Sequence, residues 1–124
     1  MEEKYGSHFH VEIHNDHVVK IPRTEKVKER MKEIVELQNT VAEHFEEVHP
    51  CWLIEEECIV MKRINGTSGS DFEKAEMKKT MRDIRKRIIN KTKVDIRDEG
   101  RQNVIFQEDG KIQLIDFSSA ELIE

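Results

Sequence analysis

Three oxygen-bearing side chains are spaced so that a hairpin would gather them. Arg97-Asp98 is followed by four residues and then by Asn103, and Asp116 comes thirteen residues later within Leu114-Ile115-Asp116-Phe117. Asn103-Val104-Ile105-Phe106 and Lys111-Ile112-Gln113-Leu114-Ile115 flank Asp109-Gly110, and Asp-Gly between two apolar runs is a strong hairpin signal. Asn103 therefore opens one strand, Asp116 closes the other, and antiparallel pairing sets both at the same end. Asp98 lies on the loop leading in. Such a cluster suits Mg²⁺, a hard cation that takes oxygen ligands and usually shares them with substrate phosphates. The plainer alternative is an ordinary hairpin with polar ends.

The same stretch resembles the protein-kinase family. Ile96-Arg97-Asp98-Glu99-Gly100-Arg101-Gln102-Asn103 is similar to the catalytic loop His-Arg-Asp-x-x-x-x-Asn. Gly110-Lys111-Ile112-Gln113-Leu114-Ile115-Asp116-Phe117-Ser118 resembles the strand entering the Asp-Phe-Gly motif. The resemblance implies that Asp98 accepts the proton of an attacking hydroxyl, and that Asn103 and Asp116 bind the metal of Mg-ATP. Upstream, Val18-Val19-Lys20 resembles the strand whose lysine grips the α- and β-phosphates, which gives that role to Lys20. A surface lysine at a strand end is the alternative. A helix glutamate should pair with Lys20. Glu33 best fits the family's local pattern, and Glu36, one turn on, is the runner-up. Ile59-Val60-Met61-Lys62-Arg63-Ile64 resembles the strand that becomes the interlobe hinge. Met61 is then the gatekeeper, and the backbones of Lys62 and Ile64 bind adenine. Gly6 and Ser7 stand where a Gly-rich loop would cover the phosphates.

The resemblance covers roughly residues 6 to 120 and has departures. The Gly-rich loop is reduced to Gly6, followed by Ser7-His8-Phe9-His10. Ile96 replaces the catalytic-loop histidine, and Ser118 replaces the glycine after Asp-Phe. The sequence reaches Glu124 eight residues after Asp116, with no activation segment or Ala-Pro-Glu motif. The expectation is a protein that does not hold a peptide in the family's usual way. Self-association is one way to cover apolar faces that later helices would otherwise cover.

Stepwise patterning supplies the elements that must position these residues. Phe9, Val11 and Ile13 alternate with polar residues, which predicts a strand over residues 6–13. His17 to Ile21 reads as a second strand stopped by Pro22. Thr24 is a helix N-cap, and apolar residues from Val27 to Phe45 predict an amphipathic helix to about Glu47. Trp52-Leu53-Ile54 and Cys58-Ile59-Val60-Met61 read as a hairpin, apolar enough to be buried on both sides. Asn65-Gly66-Thr67-Ser68-Gly69-Ser70 reads as a linker. Asp71 then caps a helix from Phe72 to about Asn90, and residues 94–102 read as loop.

The fold class is α+β and protein-kinase-like. A small antiparallel sheet with one long helix fills about residues 1–64, a linker spans 65–70, and a truncated second lobe of helix, catalytic loop and hairpin fills 71–124, all in a single domain. Charged residues make up 38% and the formal net charge is −5, which argues against a nucleic-acid partner. The basic run from Lys78 to Lys93 reads as a solvated helix face. Cys51 and Cys58 lack metal or redox spacing and read as free thiols of a reducing cytoplasm. No leader or membrane span is visible, and the expected location is cytoplasmic. His8, His10, His14 and His17 form a histidine-rich patch whose spacing fits no closed transition-metal motif; the resemblance implies that His8 and His10 sit in the loop above the phosphates. The function expected is a minimal ATP- and Mg²⁺-dependent phosphotransferase acting on a hydroxyl, preferably of protein. A pseudokinase that binds nucleotide or a partner is the alternative, and an interaction protein using Arg82 to Arg87 is a third.

Overall fold

The computed structural model describes residues 1–123. The alternating segment forms β2 (Phe9–Ile13), and Asn15-Asp16 turns the chain into β3 (His17–Pro22). An outer strand, β1 (Glu2–Tyr5), pairs with β2 although all four of its residues are exposed. Its polar sequence carries no alternation, so only backbone bonding to β2 defines it. The strand expected from residue 6 accordingly starts at Phe9, and Gly6-Ser7-His8 becomes a hairpin turn in which the Gly6 N–H donates to the Phe9 carbonyl at 2.9 Å.

Helix α1 (Glu25–Ala42) begins as expected, with the Val27 N–H donating to Thr24 Oγ1 at 3.2 Å. Its buried residues Met31, Ile34, Leu37, Gln38 and Val41 form one stripe. The helix ends at Ala42, short of Glu47, because the following residues bond elsewhere. The Glu47 carbonyl accepts from the Leu114 N–H at 2.8 Å, and the Glu46 carbonyl accepts from Gln113 Nε2 at 2.8 Å. Asn39 then seats the next strand by donating to the Cys51 carbonyl and accepting from the Cys51 N–H.

Strands β4 (Cys51–Ile54) and β5 (Cys58–Lys62) form the second hairpin. Glu55 and Glu56 both take left-handed backbone, with φ of 51° and 57°, the geometry that matches a two-stranded twist. The sheet order is β1-β2-β3-β5-β4. Register aligns Val11, Lys20, Ile59 and Leu53 in one row across it. Cys51, Ile59 and Met61 are buried on that inner face. Trp52 and Ile54, of opposite parity, are 54% and 45% exposed. The hairpin is therefore buried on one side only: antiparallel one-sided packing overrides a nearly continuous apolar sequence.

Residues 65–70 are more than a linker. They contain β6 (Thr67–Ser68), which pairs with β8 (Val104–Phe106), and they enter a single 3₁₀ turn at Gly69–Asp71. Helix α2 (Lys74–Thr92) starts after Glu73, without an Asp71 side-chain cap, and buries Met77, Met81, Ile84 and Ile88. Phe72 lies outside it and packs on Phe106, ring centroids 4.6 Å apart. The stretch read as loop holds β7 (Val94–Asp95) and a 3₁₀ turn at Arg101–Asn103. The predicted Asp-Gly hairpin is present as β8 with β9 (Ile112–Leu114), and Gly110 takes φ of 83° at its turn. A last strand, β10 (Glu121–Leu122), pairs with β7. One apolar cluster runs from Phe9 and Met31 through Ile88 and Ile96 to Leu114 and Phe117.

Gly69 shows why the 65–70 segment is small-residue-rich. A Cβ there would sit 2.2 Å from the Arg101 carbonyl oxygen, so the segment lies against the turn that ends in Asn103. Gly69→Ala should lower unfolding free energy by about 1–3 kcal/mol through overpacking, read as a shift in urea midpoint. Gly110→Ala meets nothing within 4 Å and should lose only about 1 kcal/mol, from its left-handed backbone.

Candidate functional site

The row that contains Lys20 points its side chain off the inner face of the five-stranded sheet. Lys20 is 8% exposed, and its Nζ donates to the carbonyl of Ile115, the residue before Asp116. The lysine thus spans from β3 to the segment after β9. A cavity of about 820 Å³ opens there, and Gly6, Ser7, Lys20, Met61, Lys62, Ile64, Asp98, Asn103 and Asp116 line it. Glu33, its runner-up Glu36 and His10 are not among the residues that line it.

Asn103 and Asp116 meet as the hairpin argument requires. The Asn103 amide is 2% exposed. Its Nδ2 donates to the Asp116 carbonyl at 2.9 Å. Its Oδ1 accepts from the Asp116 N–H at 2.6 Å and from the Ile115 N–H at 3.2 Å. One side chain therefore fixes both peptide groups around Asp116. Asp116 Oδ1 in turn accepts from the Ser118 N–H at 2.8 Å.

These bonds test the fit of a divalent cation. An amide oxygen has two lone pairs, and both on Asn103 face backbone N–H groups, so Asn103 acts here as a positioning residue rather than as a free ligand. Among the described residues, no group of three or more His, Cys, Asp and Glu stands close enough to hold a metal. The histidine patch therefore builds no transition-metal centre. Asp116 and Asp98, each with one carboxylate oxygen bonded to a backbone N–H, are the remaining donors. One or two carboxylates completed by phosphate oxygens is the donor set Mg²⁺ takes in phosphate sites, and the residues fit that group.

Asp98 is held by a loop wound around Arg85. Arg85 Nε and Nη2 donate to the two oxygens of Asp95 at 2.6 and 2.9 Å, and Nη1 donates to Glu99 at 3.0 Å. Asp95 Oδ1 also accepts from the Arg97 N–H at 2.9 Å. Arg97 takes left-handed backbone, with φ of 59°, and the Gly100 N–H donates to Asp98 Oδ1 at 2.8 Å. Hydrogen bonds from Arg85 hold the Asp95 carboxyl below its ordinary range, against the opposing effect of burial. Arg85 is thus a structural anchor, which corrects its reading as part of a solvated basic face. Sequence could have flagged it: Arg85 is one residue past Ile84 of the buried stripe.

The Lys20–Glu33 pair expected from the resemblance is not formed. Glu33 has a half-exposed side chain and lies 3.6 Å from Arg30. Arg30 bonds instead to the segment after Asp116, donating to the carbonyls of Ser118 and Ala120 at 2.7 and 2.9 Å. His8 lines the cavity, with Nδ1 3.3 Å from Ser118 Oγ. His10 does not; it stacks on Tyr5 and lies 3.5 Å from Glu3. Cys51 is buried, and desolvation pushes its thiol up to about 11. Among the described residues, no helix is long and apolar enough to cross a membrane.

No family model and no curated protein matches this chain. Among solved structures it is similar to WbdD in co-crystal with the kinase inhibitor LY294002, at a TM-score of 0.62 and 14% identity. The likeness covers 98% of this chain and 32% of that chain, so the chain spans about a third of WbdD. The likeness shows the fold alone: a small α+β arrangement, an antiparallel five-stranded sheet with its helix and a short second set of elements.

Asn103→Ala should lower stability by about 1–3 kcal/mol, the cost of stranding buried backbone groups, measured by urea denaturation. Asp95 gives a pH prediction. Its folded pKa lies below its unfolded value, so its stabilisation is complete above about pH 4 and is lost as pH falls through the folded value. The wild-type urea midpoint should fall steeply below that pH. Asp95→Asn should be less stable at pH 6 and show a shallower acid decline.

Proposed function

We propose that this chain is a minimal ATP- and Mg²⁺-binding phosphotransferase that moves the γ-phosphoryl group to a hydroxyl, preferably of protein. The observation that carries the reading is that Lys20, Asp98, Asn103 and Asp116 line one cavity although they come from three separate segments: β3, the 96–103 loop and the segment after β9. The fold likeness to WbdD, which was crystallised with a kinase inhibitor, supports it.

Each residue then has a role its geometry permits. Lys20 uses one ammonium donor on the Ile115 carbonyl and keeps two for the α- and β-phosphates. The backbone at Lys62 and Ile64 meets adenine beside Met61, and Gly6 and Ser7 cover the phosphates. Asp98 accepts the proton of the attacking hydroxyl through the oxygen not bonded to Gly100. Asp116 presents its second oxygen to the metal, while Asn103 holds the Asp116 backbone still. Mg²⁺, when bound, neutralises charge on the phosphate oxygens. Catalysis in this scheme is positioning plus charge compensation.

A second reading, a pseudokinase that binds nucleotide and regulates a partner, draws on a specific observation. The Asn103 oxygen is engaged by two backbone donors, and Glu33 lies beside Arg30 while Lys20 bonds the Ile115 carbonyl. Such a site binds nucleotide more readily than it turns it over.

ATP with Mg²⁺ at a hundredfold excess over Kd should raise Tm by about 10 °C. Asp116→Asn should abolish the metal-dependent part of that shift. Asp98→Asn should retain the shift and lose about 10²–10⁴-fold in transfer of labelled phosphate. Binding without transfer in the wild type selects the pseudokinase, and no shift at all rejects both readings.

A further inference from the structure

We propose that Arg30 is a positioning residue for Asp116, clamping the backbone beyond that carboxylate and thereby setting how strongly metal supports nucleotide binding. This rests on the phosphotransferase site proposed above and deepens it. The Arg30 guanidinium donates from Nη1 to the Ser118 carbonyl at 2.7 Å and from Nη2 to the Ala120 carbonyl at 2.9 Å. Between them the chain turns, with the Ala120 N–H donating to the Phe117 carbonyl at 3.0 Å. At its start, the Ser118 N–H donates to Asp116 Oδ1 at 2.8 Å. Displacement of Ser118 therefore moves a donor that orients the carboxylate.

The other side of the turn is fixed by apolar packing. Phe117 and Ala120 are fully buried in the common core. Core packing alone leaves the polar edge of the turn, the Ser118 and Ala120 carbonyls, to be satisfied from α1. A guanidinium has a rigid planar fork that reaches two acceptors at once, which a lysine ammonium does not reproduce. Glu33 lies 3.6 Å from Nη2, an exposed charge beside the fork. Downstream, β10 pairs with β7, and Glu121 lies 3.2 Å from Arg97, the neighbour of Asp98. The clamp thus ties α1 to the segment from Asp116 to the Asp98 loop. Coupling of the helix to the site passes through a cation and two carbonyls, where the resemblance implied a glutamate and Lys20.

The test compares Arg30→Ala, Arg30→Lys and Glu33→Ala in the full chain, with near-ultraviolet circular dichroism confirming the fold. Amide exchange across residues 117–121 should quicken at least about tenfold in Arg30→Ala, as local opening becomes easier, with Arg30→Lys intermediate and Glu33→Ala less affected. The Mg²⁺ concentration giving half the ATP-induced Tm shift should rise about tenfold in Arg30→Lys, the usual scale for losing an outer-shell partner. A structural role alone would lower Tm and leave that midpoint in place. Unchanged exchange in Arg30→Ala overturns the clamp. Quicker exchange with an unchanged Mg²⁺ midpoint overturns its role toward Asp116. If the wild type shows no ATP-dependent shift, the phosphotransferase reading fails with the positioning role, while exchange alone still reports whether the clamp exists.

Discussion

The amide of Asn103 donates to the Asp116 carbonyl and accepts from the Asp116 and Ile115 N–H groups, so a single buried side chain extends the pairing of β8 and β9 one residue beyond the last backbone bond, from the Ile115 N–H to the Asn103 carbonyl at 3.1 Å. Without it, the Asp116 N–H and carbonyl would lose these partners at the edge of the core, a cost of about 1–3 kcal/mol for each one left stranded. The Lys20 bond to the Ile115 carbonyl presupposes that this carbonyl is held in place. The Ser118 bond to Asp116 and the Arg30 contacts beyond it extend the same order outward. The placement of Asp116 thus traces back to one amide seated between two strands, while the Arg85 loop holds Asp98 and the β3 register places Lys20.

Much of this was legible because two periodicities and one turn rule act locally. The parity of Phe9, Val11 and Ile13, carried across by register, sends Lys20 to the inner face with Val11 and Ile59. Asp109-Gly110 fixed the hairpin, and hairpin closure placed Asn103 beside Asp116. What stayed hidden depends on partners distant in sequence. Glu2–Tyr5 has no apolar face and becomes a strand only because β2 offers it an edge. Residues 43–48 leave the helix because Leu114 and Gln113 take up the carbonyls of Glu47 and Glu46. Gly and Ser between Asn65 and Ser70 signal close backbone approach as well as freedom, and here approach is what the fold uses.

The helix glutamate shows where resemblance and physics part. At about 100° per residue, Arg30 lies about 40° from the buried Ile34, Glu33 about 100° and Glu36 about 160°. The apolar stripe of α1 therefore turns Arg30 toward the segment after Asp116 and turns both glutamates toward solvent. The apolar stripe is legible in the sequence, and its direction favours the arginine over either glutamate as the residue that bridges α1 to the site. Motif spacing named a residue type; helix geometry names the residue.

The saturated amide also bears on how a metal would be held in the proposed site. With Asn103 committed to backbone, the chain offers carboxylate oxygens from Asp116 and Asp98, and two carboxylates alone leave most of the six positions of an Mg²⁺ shell to water. Phosphate oxygens change that balance, because they add charged donors and share the ion between protein and ligand. Metal affinity then depends on bound nucleotide, and by linkage nucleotide affinity depends on metal by the same factor. The pairing follows from the donor set rather than from any moving part: a cavity lined by two carboxylates and by the Lys20 ammonium held at the Ile115 carbonyl favours a ligand carrying both signs of charge. Magnesium triphosphate meets that requirement, whereas the free cation and the free anion each satisfy only half of it.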